Sequence, residues 1–371
     1  SRKGMNLAGK IDYTVSPTIN LTFGGSFDYN DRNSFNRSNA LFNSQNNLQD
    51  VDKAWRAYAR YTQRFRNSED KDNPSVVKDA FISFQVDYSV TGRTVQDRKH
   101  KDNLSHYGYI GKFTSERINT FDTVATTVEI VDQNGNVVDT ITGMMSNPNT
   151  VSYSFEPGEL NPILANYTSA YYDYFGNDPD AVKDRETVQG GGALLNGDHP
   201  FDLYNQMYNP MGRSGDTYFQ QQTTQLRFTG AGSASIGDHA IQIGFEYEQR
   251  DERSYSIQPY TLWRLGRQLV NVQIEERSFV EGTFIEYPGA GGSGFSQFLF
   301  QQSYNPDVHS QFDKNLRESL GMSETGLNWI DFDSYGPDVW NIDMFTPDEI
   351  YTGARGLLST FGYDHTGKKL S

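Results

Sequence analysis

No cysteine occurs in the 371 residues, so disulfides, thiolate catalysis and Cys-ligated metal or iron–sulfur sites are excluded. No apolar run approaches the roughly 18 residues of a membrane-crossing helix. Basic residues are short, 32 against 47 acidic, and the net charge of −15 argues against nucleic acid as a main partner, because phosphate binding needs a basic face. Ser1-Arg2-Lys3-Gly4-Met5-Asn6 carries no apolar stretch, so no signal peptide is expected here. Gly367-Lys368-Lys369-Leu370-Ser371 gives no closing strand, and both ends are expected to continue into a longer chain. Hydrophobic residues reach only 36% and the mean hydropathy is −0.68, which is thin for a compact soluble core. What is present is Tyr (23), Phe (24) and Gly (34), the composition of an antiparallel β surface with one lipid-facing or partner-facing side.

Side-chain alternation carries the clearest pattern. Leu7, Ile11, Tyr13 and Val15 alternate with Asn6, Lys10, Asp12 and Thr14. After Ser16-Pro17-Thr18, Ile19, Leu21, Phe23, Phe27 and Tyr29 alternate with Asn20, Thr22, Ser26 and Asp28. Period 2 on both sides of a short turn predicts a β-hairpin. Its arms are long enough for the roughly nine to eleven tilted residues of a bilayer-crossing strand. Residues 54–65 place Trp55, Ala57, Ala59 and Tyr61 opposite Arg56, Tyr58, Arg60 and Arg64; residues 80–90 place Ile82, Phe84, Val86 and Tyr88 opposite Ser83, Gln85 and Asp87. Further strands are expected at 107–113, at 127–131 and 137–141 around Asn134-Gly135 (a type I′ turn signal), and at 217–229 with 240–253. Short helices are expected at 161–174, 178–185 and 259–270. No clear strand is expected after Ser254.

Turns at 16–18 and 235–238 are short, whereas 30–53, 143–216 and 255–371 are long and polar. Short turns at one end and long loops at the other match outer-membrane barrels. If both short turns share a side, strands 4–15 and 217–229 run in the same direction.

Gly4 to Tyr29, Tyr107-Gly108-Tyr109-Ile110-Gly111-Lys112-Phe113, Ile243-Gly244-Phe245-Glu246-Tyr247-Glu248-Gln249-Arg250 and Phe361-Gly362-Tyr363-Asp364-His365-Thr366-Gly367-Lys368-Lys369-Leu370 resemble the barrel of TonB-dependent receptors. The Bacteroidota type, with a carboxypeptidase-regulatory-like domain ahead of its plug, is the one most resembled. The resemblance implies a middle fragment of a 22-strand barrel in the outer membrane of a Gram-negative cell. It implies outer-membrane lipid as one partner and TonB, through a plug region this chain lacks, as another. The implied function is active uptake of a scarce or bulky ligand such as a siderophore, glycan or peptide.

Chemical motifs are few. Gly289-Ala290-Gly291-Gly292-Ser293-Gly294 fits G-x-G-x-x-G, but Pro288 precedes it and no βαβ unit surrounds it, so it reads as a surface loop. Asp132, Asn134, Asn136 and Asp139 lack the glycine and glutamate positions of an EF-hand. They read as a hairpin turn, as Asp331, Asp333 and Asp338 read as a solvated loop; weak Ca²⁺ binding in these loops is the one cofactor left open. His100, His106, His199, His239, His309 and His365 show no metal spacing. No G-x-S-x-G elbow occurs, and adjacent carboxylates such as Asp251-Glu252 and Glu275-Glu276 point to opposite faces of a strand. The reading is therefore not an enzyme. Tyr171, Tyr172, Tyr174, Trp263 and Trp329 lie in the long loops and are the candidate ligand-stacking residues; the alternative is that they pack the loops together.

The expected fold is all-β: an antiparallel transmembrane β-barrel segment of about eight strands, with long extracellular loops containing short helices. Residues 1–254 hold the strands with outer loops 30–53 and 143–216, and 255–371 form a long extracellular region. Tyr13, Tyr29, Trp55, Tyr88 and Tyr247 suit interfacial girdles, and Arg56, Arg60 and Arg64 the lumen. The alternative is a soluble or surface-attached β-rich binding or adhesion module, which would bury Ile19, Leu21, Phe23, Phe27, Ile82, Phe84 and Val86.

Overall fold

The computed structural model describes residues 2–65, 77–201, 207–287 and 295–370. The strands are β1 (Arg2–Ser16), β2 (Ile19–Asn33), β3 (Gln49–Phe65), β4 (Val77–Gln96), β5 (Gly111–Val131), β6 (Val137–Pro157), β7 (Tyr218–Ile236), β8 (His239–Ile257), β9 (Ile274–Tyr287), β10 (Phe295–Tyr304) and β11 (Leu358–Phe361). The helices are α1 (Pro162–Phe175), α2 (Arg185–Gly190), α3 (Pro259–Leu269), α4 (Gln311–Ser319) and α5 (Pro347–Gly353). The chain divides into two compact units that interleave along the sequence. One unit holds Ser1–Asp102, Ser214–Gln258 and Leu358–Ser371; the other holds Asn103–Arg213 and Pro259–Leu357.

The first unit is a seven-stranded sheet in the order β1-β2-β3-β4-β7-β8-β11. Every neighbouring pair is antiparallel. Strands β1, β3 and β7 therefore run one way, and the shared direction of 4–15 and 217–229 holds. Among the described residues the connection from β4 to β7 adds no strand to this sheet, so the parity is kept without the expected intervening crossings. At one end the connections are the residue pairs 17–18 and 237–238, the second with Gly237 at φ +58°, and the stretch 66–76, which lies outside the described residues. At the other end the chain leaves the sheet in 34–48, 97–217 and 258–357. Among the described residues the sheet is open: β1 pairs only with β2, and the outer edge of β8 is paired only at 254–257.

Register extends the alternation of each strand across the sheet. Tyr13, Leu21, Tyr61, Phe84, Gly230 and Phe245 lie in one row, and Ile11, Phe23, Ala59, Val86, Phe228 and Tyr247 in the next. This apolar face is not covered. Phe23 and Phe84 are each 50% exposed, Ile243 is 72% exposed, and none of Ile19, Leu21, Phe27, Ile82 or Val86 is buried. The opposite face is polar and ion-paired. Asp50 (2% exposed) accepts from Arg32 at 2.7 Å and from Arg93 at 2.9 Å. Asp87 is buried against Arg56, with Gln85 donating at 2.7 Å and the Arg227 guanidinium ion-paired at 3.6 Å. Arg56 and Arg60 thus share the polar face, Arg56 ion-paired with Asp87 and Arg60 donating to the Gln85 side-chain carbonyl at 2.6 Å. Gly24 on this face lies beneath the Tyr58 ring, and a Cβ there would come within 2.5 Å of it.

The second unit is built differently. Its four-stranded sheet runs β5-β6-β10-β9, with β10 parallel to β6 and the other pairs antiparallel. Strands β9, β10 and β11 correct the expectation that no strand follows Ser254; β9 is dense in charge and β10 lacks strict alternation. Among the described residues eleven strands rather than about eight are present, and five short helices make the fold mostly β rather than all-β. Residues 107–110 are a buried turn, and β5 begins only at Gly111. The 132–136 turn is not type I′, because Gly135 has positive φ and Asn134 does not. Instead Asp132 accepts from the backbone N–H groups of Asn134 (2.8 Å) and Asn136 (2.9 Å).

Helix α3 presents Tyr260, Leu262, Trp263, Leu265 and Gly266 to the core at helical spacing. Trp263 meets Trp340 edge-on at 4.9 Å, and Phe312 stacks on Phe345 at 4.0 Å. Gly197 sits at φ +82°, where an added Cβ would lie 2.5 Å from the Tyr260 carbonyl oxygen, so only glycine fits. Buried polar groups pin the layers. Asp313 accepts from the Asn271 backbone N–H (2.9 Å), Gln273 Nε2 (2.9 Å) and Arg317 Nε, and His309 Nε2 lies 2.7 Å away.

Candidate functional site

The second unit contains a cleft of about 320 Å³ lined by, among others, Ser115, Tyr153, Asp184, Trp329, Asp331 and Asp333. Strand β5 supplies Ser115 and Arg117, and the segment before the turn at 332–334 supplies Trp329 and Asp331. The Arg117 guanidinium lies over the Trp329 ring, 3.7 Å from its centroid. Asp331 Oδ2 accepts from Ser115 N (2.6 Å) and Ser115 Oγ (2.8 Å). Burial pushes the Asp331 carboxyl above the usual carboxylate range; the two Ser115 hydrogen bonds and the charge of Arg117 oppose this, and the charge of Asp333 adds to it.

Asp333 forms a fork with Arg267, Oδ2 to Nε at 2.6 Å and Oδ1 to Nη2 at 2.8 Å. Burial works against the Arg267 charge, but Asp333 outweighs it and holds the guanidinium more firmly protonated than usual. Asn196 joins the pair: its Nδ2 donates to Asp333 Oδ1 (3.1 Å), and its backbone carbonyl accepts from Arg267 Nη2 (2.9 Å). Tyr153 at the cleft wall has its phenol pushed up by burial. The result is a polar cleft with one aromatic wall, a carboxyl biased toward its neutral form and a fixed ion pair. Hydrogen bonding and ring contact to a polar ligand are the chemistry it offers.

The five aromatic candidates are not brought together. Trp329 lines the cleft and is 42% exposed. Trp263 is wholly buried, with Nε1 donating to the Ser105 carbonyl at 2.9 Å, so it holds the core. Tyr172 donates to the Tyr153 carbonyl (2.5 Å) and Tyr171 to that of Ala181 (2.8 Å), both fixing α1 to its neighbours. Tyr174 is 81% exposed at the end of α1, in edge contact with Phe175.

Of the acidic trio, Asp331 and Asp333 share the cleft. Asp338 pairs instead with His106, Nε2 to Oδ1 at 2.8 Å. Asp331 and Asp333 are held by specific donors, which corrects the expectation of a solvated loop for these two. His199 stacks on Tyr260 at 4.2 Å, and His309 is buried beside Asp313. Among the described residues no group of three or more His, Asp or Glu has metal-holding geometry. The glycine-rich stretch 289–294 lies outside the described residues. Asn196, Arg267 and Ser115 escaped sequence reasoning, since nothing local marks a polar residue that becomes buried by distant partners.

No protein-family model matches the chain, and no curated protein matches it. Among solved structures, a chain described as "Pore forming protein" is 7% identical with a TM-score of 0.11, covering 70% of this chain and 93% of its own. Clostridium perfringens delta-toxin is 9% identical with a TM-score of 0.13, covering 70% of this chain and 91% of its own. Likeness at that level carries no argument about this chain.

Proposed function

We propose that this chain is part of an outer-membrane TonB-dependent receptor, supplying barrel wall and ligand-facing loops for active uptake of a scarce or bulky ligand. The supporting observation is the two-faced sheet of the first unit. Its apolar face spans six long strands uncovered, while its polar face is laced with ion pairs. Water on the first face would meet an aromatic and aliphatic surface six strands across, a contiguous exposed patch of the kind soluble monomers rarely carry. Lipid outside and a hydrated lumen inside remove that conflict. Two of the three connections at one end are two-residue turns, whereas the excursions 97–217 and 258–357 leave from the other, which fits periplasmic and extracellular sides respectively. The cleft beside Trp329 and Asp331 belongs to two of those excursions and is the place where a polar ligand is captured.

The receptor assignment itself rests on the sequence resemblance. The full-length protein should fractionate with outer membranes and cross-link to TonB in energised cells. Outer-membrane residence without any TonB contact would refute the receptor while leaving the barrel. Recovery from the soluble fraction would refute both.

A further inference from the structure

The border between apolar and polar residues on the uncovered face is oblique. Along each strand, toward the long-excursion end, the uninterrupted apolar run ends at Met5 in β1, Tyr29 in β2, Trp55 in β3, Val90 in β4, Leu226 in β7 and Tyr247 in β8, and Val51, Tyr218, Tyr255 and Ile257 recur on the same face only beyond a polar stretch. The next residues on the same face are Lys3, Asp31, Lys53, Gly92, Thr224 and Gln249. Met5 is in register, strand by strand, with Tyr29, Lys53, Gly92, Gln222 and Arg253. Tyr247 lies six residues short of Arg253, so the border slides by six residues over five strand steps. The short-turn end shifts in the same sense. Gly232 is in register with Ile19, where β2 begins, yet β7 runs on to Ile236.

Six residues rise about 20 Å along a strand, and five strand spacings cover about 24 Å, so the border is inclined by about 40° to the perpendicular of the strands. Bilayer-crossing strands tilt by roughly 35–45°. The apolar span runs from Ile19 to Tyr29 in β2, from Ala80 to Val90 in β4 and from Ile236 to Leu226 in β7. Each is eleven residues, or ten steps of about 3.3 Å, so about 33 Å along the strand and about 25 Å once projected at that tilt, which is the height of the apolar band on outer-membrane barrels.

We infer that these six strands cross a bilayer at about 40° to its normal, and that its outer hydrocarbon border follows the line Met5, Tyr29, Trp55, Val90, Leu226, Tyr247. A protein partner laid against the face would leave the border free to follow any direction. A planar lipid phase fixes one slope, which both ends follow, and one height, which β2, β4 and β7 share. The inference rests on the membrane reading and adds its orientation. Tyr29, Trp55 and Tyr247 then sit on the border, where aromatic rings prefer the interface. Tyr88 falls one alternation inside it, and Tyr13 lies near the other border.

These 371 residues contain no cysteine, and any cysteine elsewhere in the full-length protein is first replaced by serine, so that each single-cysteine variant reports from one site. Leu7, Val90 and Asp251 share one register row. Fluorophores on Leu7→Cys, Val90→Cys and Asp251→Cys of the full-length protein, reconstituted in phosphatidylcholine vesicles, are quenched with acyl-chain nitroxide or with aqueous iodide. Leu7→Cys should be quenched from the lipid, Val90→Cys at the border and Asp251→Cys from water, over a depth range of about 15 Å set by the tilt. Equal depths for the three would overturn the orientation. Phe84→Cys, mid-band at any tilt, is the control: lipid quenching there keeps the membrane reading even if the orientation fails, and its absence overturns both.

Discussion

Val86→Arg separates a lipid-facing surface from a water-facing one by energy alone. Val86 stands near the middle of the apolar span of β4, flanked in register by Ala59 and Phe228, and its side chain is exposed rather than packed. In water, a substitution at such a site changes stability by no more than about 0.5 kcal/mol, because no cavity, cap or buried partner is lost. Facing hydrocarbon at mid-depth, the same arginine costs about 2–4 kcal/mol, falling to about 0–1 near the interface. Val90→Arg, four residues along the same strand and on the border line, supplies the second point. Reversible denaturant unfolding of the full-length protein from vesicles should therefore show a loss of about 2–4 kcal/mol for Val86→Arg and at most about 1 kcal/mol for Val90→Arg. Equal, negligible effects at both positions would refute the lipid-facing assignment.

Other expectations concern the second unit. Asp313→Ala strands the buried Arg317 charge and should cost about 3–5 kcal/mol, read by denaturant unfolding. Gly197→Ala forces a Cβ into the Tyr260 carbonyl at positive φ and should cost about 1–3 kcal/mol, read as a lowered thermal midpoint. Asp331 is raised in the folded state, so its contribution is fully present below the unfolded carboxylate pKa and is lost as pH rises through the folded value. Asp331→Asn keeps an acceptor for Ser115 and should flatten that part of the stability–pH profile; an unchanged profile would count against the burial argument. Trp329→Ala removes the ring beneath Arg117 and should cost about 0.5–1 kcal/mol while weakening ligand capture, read by unfolding and by a binding assay.

The strands of the first unit were legible because each has one polar and one apolar side, which period 2 writes directly into Ile19–Tyr29, Ile82–Tyr88 and Ile241–Tyr247. Their shared sheet and common direction followed from the short turns. The second unit was legible only in parts. Strands β9 and β10 carry Glu275, Glu276 and Gln301 where alternation would call for apolar residues, and their pairing is set by distant partners. Helix α5 did carry a signal, the Thr346-Pro347-Asp348-Glu349 capping box with proline at the first helical position, which reads as a helix start. Ser310 capping Asp313 at the start of α4 is a weaker version of the same signal. Within the cleft, Trp329 and the pair Asp331 and Asp333 were singled out by residue type. Asn196 and Arg267 were invisible, since their roles come from partners 137 and 66 positions away.

The uncovered apolar face is most directly tested by weighing what coats it. Purified full-length protein, analysed by sedimentation with and without detergent, should carry a detergent belt and aggregate when the detergent is removed. A monodisperse, detergent-free monomer binding none would contradict the account.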